Sequence, residues 1–171
     1  FDARRDELAT AGIVLKKGVD PSTDLEPEYI AVSGGKAYVT LQENNAIAVL
    51  DLASRTFDGI YSAGFEDYGV TPIDIDKKDD AYAPRTYGSL MGIRMPDAIA
   101  AFQAEGKTYL VTANEGDARE WGDEDLGTFY LSEDEQDFGE EGVTSPTGAI
   151  TGENSGLEGK VVFFKVEDFD G

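Results

Sequence analysis

The chain of 171 residues contains no cysteine and no histidine. Their absence excludes a disulfide framework, zinc sites built on thiolate or imidazole, and serine–histidine or cysteine–histidine nucleophiles. Positive charge is scarce as well: 14 lysines and arginines stand against 35 acids, for a net charge of −21. A surface of that sign repels nucleic-acid phosphates and anionic headgroups and attracts cations, which argues against nucleic-acid binding. Its plainer consequence is solubility in a salty or extracytoplasmic setting. No apolar run is long enough to cross a bilayer and no signal peptide is present, and Phe1 without a preceding methionine reads as a trimmed start. What the chain does have is 40% apolar and 11% aromatic residues. That suffices for one sizeable core, or about two to three blade-sized units.

A long segment is written twice. From Pro27 the chain reads PEYIAVSGGKAYVTLQENN, and from Pro96 it reads PDAIAAFQAEGKTYLVTANEG. Each copy runs proline, acid, apolar strand, Gly-Lys turn, aromatic-centred strand and Glu-bearing turn. One such unit cannot cover its own apolar face, so the duplication predicts a repeat architecture. For short antiparallel strands the usual repeat solution is a β-propeller. The expected fold is all-β: part of a propeller with about two four-stranded antiparallel blades, a short N-terminal helix and a long acidic insertion.

The organisation follows from local signals. Residues 1–26 are a lead-in, with a helix over Asp2–Ala11 capped by Asp2 and stopped by Gly12. Residues 27–63 form the first blade, with strands at Tyr29–Val32, Lys36–Leu41, Ala46–Leu50 and Thr56–Ser62 separated by Gly-, Asn- and Asp-bearing turns. Residues 64–95 are an acidic connection. Residues 96–171 are the second blade, interrupted by the insertion 117–159, which holds thirteen acids against one base, Arg119. A connection that long is either functional or disordered. The strand within 160–166 then completes the blade. An incomplete propeller leaves open strand edges. The expected partners are therefore the remaining blades or another protein chain, with residues 160–166 joining a sheet that includes a strand from outside.

Candidate ligand-binding residues follow from the repeat. Glu28 and Asp97 come directly after the opening prolines, where innermost strands start beside a propeller's channel. Glu43, Asn44, Glu115 and Asp117 occupy equivalent turns, with Arg119 close behind. Carboxylate and amide oxygens are ligands for calcium, the expected cofactor. The alternative is that these acids cap turns by bonding backbone amides. A second candidate metal loop is Asp74, Asp76, Asp79 and Asp80. It lacks the glycine and distal glutamate of an EF-hand, and a solvated acidic loop is its alternative. Gly88-Ser89-Leu90-Met91-Gly92 is not a nucleophile elbow, and no histidine exists to activate the serine. A metal-dependent phosphate-ester hydrolase needs no histidine: carboxylates would hold metals, and Arg94 or Arg119 would neutralise phosphate.

The runs DLEPEYIAV (24–32), YVTLQENNA (38–46), MPDAI (95–99) and YLVTANEGDAR (109–119) resemble the choice-of-anchor I family. That family is related to the mesenchyme-specific cell-surface glycoprotein, and the Tyr-Val-Thr strands are similar to YVTN-type propeller repeats. The resemblance spans roughly 24–119. It implies a secreted, periplasmic or cell-surface β-propeller with a structural, adhesive or ligand-binding role. Some bacterial relatives carry alkaline phosphatase-like or phytase/esterase-like labels. Family domains are longer than this chain, which implies that it supplies part of a propeller. Ile73–Arg94 and the insertion after Arg119 depart from the pattern.

Overall fold

The computed structural model describes residues 1–75, 81–117, 119–138, 140–152, 157 and 159–171. A 3-10 turn (Asp2–Arg4) runs into α1 (Arg5–Thr10), followed by β1 (Leu15–Lys16) and a helical turn, α2 (Pro21–Asp24). The strands β2 (Pro27–Ser33), β3 (Lys36–Leu41), β4 (Ala46–Asp51) and β5 (Thr56–Ser62) come next. They are followed by β6 (Phe65–Asp67), β7 (Met91–Ile93), β8 (Pro96–Ala104) and β9 (Lys107–Asn114). The last third of the chain supplies β10 (Glu120–Trp121), β11 (Tyr130–Leu131), β12 (Glu133–Asp137), β13 (Lys160–Phe164) and β14 (Phe169–Asp170). The chain is mostly β, in small sheets with a short helix at the start. Among the described residues no sheet closes on itself.

Two compact units emerge. The first comprises Phe1–Gly64, Ile93–Asp117 and Val166–Gly171, and the second Phe65–Gly92 and Ala118–Lys165. In the first unit the order β2-β3-β4-β5 is a complete antiparallel sheet. Gly34 and Gly35 both have positive φ, 59° and 79°, and so make the two-residue hairpin turn that matches strand twist. Asp51 closes the next turn: its carboxylate accepts from Ser54 N at 2.8 Å and Ala53 N at 3.1 Å. Leu8, Ile13, Leu15, Leu41, Ala46 and Ala48 form the core, so the lead-in covers one face of the sheet.

Asp2 does not cap its own helix. Its carboxylate accepts from Ser22 N at 2.7 Å and Ser22 Oγ at 2.9 Å, capping the first turn of α2 instead. Those bonds, the backbone one foremost, hold the Asp2 carboxyl below its usual range. Gly12, at φ 82°, ends the preceding helix as expected.

The second copy of the repeat is a hairpin rather than a four-stranded blade: β8 and β9 pair only with each other among the described residues. β8 lies against β2 and β3, so the two copies are neighbours. The strand expected to continue the second copy is β13, and it pairs with β12 from the acidic insertion. Charge and packing explain that choice. Lys160 bonds Glu135, Lys165 Nζ lies 3.3 Å from Asp134, and the rings of Phe163 and Phe138 meet at 6.1 Å. Phe138, Ile150 and Leu157 of the insertion pack with Tyr87 of the connection to form the core of the second unit.

Candidate functional site

Both repeat copies slip register immediately after their opening proline. In the β2–β3 ladder the slip lies between Pro27 and Ile30, and in β8–β9 between Pro96 and Ile99. A bulge of this kind frees residues from the ladder and re-aims their side chains. In the first copy the freed N–H of Tyr29 donates to Thr40 Oγ1 at 3.0 Å, which gives the threonine of the Tyr-Val-Thr strand a structural role. The residues released in the two bulges include Glu28 and Asp97.

These two carboxylates meet at Gln42, a side chain only 4% exposed. With its amide nitrogen turned toward them, Gln42 donates to Glu28 Oε2 at 2.6 Å and Asp97 Oδ1 at 3.2 Å. With the nitrogen turned the other way it donates to Glu115 Oε2 at 3.4 Å. The first orientation satisfies both ends of the amide, yet it leaves Glu28 crowded by neighbouring carboxylates. The cost shows on Glu28, which is exposed as a residue while its carboxyl end reaches the buried amide. Burial pushes this carboxyl above the usual range, and the charges of Glu43 and Asp97, with a hydrogen bond to Asp97, push in the same direction.

A carboxyl with a higher pKa folded than unfolded binds its proton more tightly in the folded state. Stability therefore falls as pH rises from the ordinary glutamate range through the raised value, and the penalty is fully present above it. In chelator, Glu28→Gln is expected to raise Tm at pH 7 by about 1–4 °C and to lose that advantage near pH 4. A difference that stayed constant across this range would remove Glu28 as the titrating group.

The remaining predicted residues divide. The side chain of Asn44 is fully buried, with Nδ2 donating to Val14 O at 2.8 Å and Oδ1 accepting from Glu26 N at 3.3 Å; it ties the lead-in to the sheet. Asp117 is exposed beyond β9. Arg119 belongs to the second unit, where it is 1% exposed and stacks over Trp121 at 5.6 Å. Arg94 Nη1 donates to Ala63 O at 2.8 Å. In the second candidate loop, Asp74 Oδ2 accepts from Ala83 N at 2.9 Å, a turn-capping bond. Asp76, Asp79 and Asp80 lie outside the described residues. Among the described residues no three acidic side chains are gathered as a ready-made metal cage.

Sequence reasoning missed two side chains. One is Gln42, and the available signal was that each copy places an amide residue before its glutamate, Gln42-Glu43 and Asn114-Glu115. The other is Asn45, which is fully buried at φ 51°. It accepts from Met95 N at 3.0 Å and donates to Gly64 O at 3.0 Å, fixing the entry to the second copy beside the first.

These features define a repeat-built β module with carboxylates gathered at the starts of neighbouring strands. The chain belongs to the choice-of-anchor I domain family, whose model matches residues 1–157. The match runs through the lead-in and most of the acidic insertion, well beyond the span 24–119 that carries the resemblance in sequence. Membership marks a cell-surface-associated domain. No curated protein and no solved structure matches the chain. Among the described residues no helix is long and apolar enough to cross a membrane.

Proposed function

We propose that this chain is an extracytoplasmic, surface-associated binding module of partial-propeller type, in which a hard cation joins the two repeat copies through Glu28 and Asp97. The observation that carries this reading is the buried Gln42 amide facing three carboxylates. With its nitrogen toward them the amide bonds Glu28 and Asp97, and these carboxylates from the two repeat copies still crowd each other, with the charge of Glu43 beside them. The bonds from the amide offset only part of that repulsion, and a proton or a cation offsets the rest. Calcium suits it, because Ca²⁺ takes carboxylate and amide oxygens in flexible geometry and completes its shell with water. Glu43 and Glu115 add negative charge around the same amide. The ion's role in this reading is structural: it holds the bulged starts of β2 and β8 together and so fixes the face they present to a surface ligand.

Thermal melting tests it. A ligand that binds only the folded state stabilises by mass action, about 2.7 kcal/mol at a hundred times its Kd. Calcium at that level is expected to raise Tm by about 5–10 °C over sodium at equal ionic strength. The double variant Glu28→Gln, Asp97→Asn should abolish the calcium increment. If sodium stabilises as well as calcium, only screening of an acidic surface remains and the reading fails.

A further inference from the structure

The two repeat copies share a sequence pattern and differ in what covers them. In the first copy β3 has β2 on one side and β4 on the other; in the second, β9 has β8 alone among the described residues. Glu105 and Gly106 both have positive φ, 51° and 73°, so the β8–β9 turn is the same two-residue type as Gly34–Gly35. The pair flanking such a turn, Ala104 and Lys107, exchanges hydrogen bonds, and bonding alternates along the ladder from there. Thr108, Leu110 and Thr112 consequently turn their backbone groups away from β8. None of the three has another backbone partner among the described residues. Their counterparts near the turn of the first copy, Ala37 and Val39, are registered on Leu50 and Ala48 of β4.

The side chains tell the same story. Tyr109 and Val111 are 41% and 56% exposed, and Phe102 stacks on Tyr109 at 5.4 Å with half its surface in water. A two-stranded hairpin of this kind is marginal alone and gains from a third strand. The edge also lacks the usual protection: there is no proline in 107–114, and the single charge, Lys107, lies at the turn end. That lysine indicates what fits. Its counterpart Lys36 stands in register with Asp51, the last residue of β4, whose charge acts on it beside its ion pair with Asp58 of β5, whereas Lys107 has no ion-pair partner among the described residues. The opposite end of the edge leads into Glu115 and Asp117, which disfavours an acid there.

We infer that the open edge of β9 is a docking site for an extended polypeptide segment, added antiparallel as a strand of alternating aliphatic residues that ends in an acid opposite Lys107. Main-chain bonds to Thr108, Leu110 and Thr112 supply the affinity, and the terminal acid supplies polarity and register. A second copy of the chain is a poorer occupant, because each copy carries a net charge of −21.

The probe is a peptide of residues 44–53, which contains β4, added to the 171-residue chain and followed by residue-resolved hydrogen exchange. At ten times its Kd the peptide is expected to slow exchange at Thr108, Leu110 and Thr112 about tenfold, leaving β4 amides unchanged. A scrambled peptide should give no protection. Lys107→Glu, an exposed change that leaves the fold intact, should weaken binding about fivefold, and a peptide carrying Asp51→Lys should recover it on that variant. Equal protection by both peptides, exchange of the peptide for the chain's own β4, or protection that grows with protein concentration in the absence of peptide would each overturn the inference.

Discussion

Replacing Asn45 with alanine is expected to lower Tm by about 8–15 °C, the largest effect of any single substitution considered. The side chain bonds the N–H of buried Met95 and the carbonyl of Gly64, each at 3.0 Å. Removing it leaves both groups unpaired, at about 1–3 kcal/mol each. Its backbone is at φ 51°, a conformation that asparagine tolerates better than alanine, adding about 1 kcal/mol. These sum to about 3–7 kcal/mol, and the lower half of that range already translates into such a shift for a chain of this size. Asn45→Asp keeps the acceptor for Met95 and loses the donor to Gly64, so it should fall roughly midway. Because Met95 precedes Pro96 and Asp97, Asn45→Ala should also weaken the calcium increment by loosening Asp97 relative to Glu28. A Tm within 2 °C of wild type would show that Asn45 does not hold this junction.

The second large effect lies in the acidic insertion. Phe138 is buried among Tyr87, Ile150 and Leu157 and meets Phe163 across the β12–β13 pair. Phe138→Ala removes a buried aromatic and leaves a cavity, at about 3–5 kcal/mol. Hydrogen exchange is the informative readout, since local cores fail locally. Protection at Glu133–Asp137 and Lys160–Phe164 should drop first. Unchanged exchange in both strands would mean that this cluster is not what holds the insertion's sheet. Such a core also explains how a segment with thirteen acids and one base stays folded: apolar burial and the paired lysines Lys160 and Lys165 offset the repulsion of its carboxylates.

Much of the first unit was legible in sequence because its signals are local. Alternation in Lys36–Leu41, the Gly34–Gly35 turn and the Asp51 turn each specify geometry within a few residues, and the strands fall where those signals put them. The duplication itself announced equivalent hairpins, and both carry the same bulge after proline. The short helix ending at Gly12 was legible on the same grounds.

What lay beyond reach depends on partners distant in the chain. Asp2 reads as a cap for the helix that follows it, yet the tertiary fold sets Ser22 closer to its carboxylate than its own helical amides. Lys160–Phe164 announces itself as a strand, but a strand's pattern does not name its neighbour; β12 won through lysine–acid pairing and Phe138. Gln42 and Asn45 read as turn residues because nothing local distinguishes an amide that caps a turn from one that bridges two repeat copies. The amino-acid sequence by itself determined the strands and turns of the two repeat copies and the acid after each proline. Only the tertiary structure decided that Glu28 and Asp97 face one buried amide, since two bulges far apart in the chain must first bring those carboxylates together.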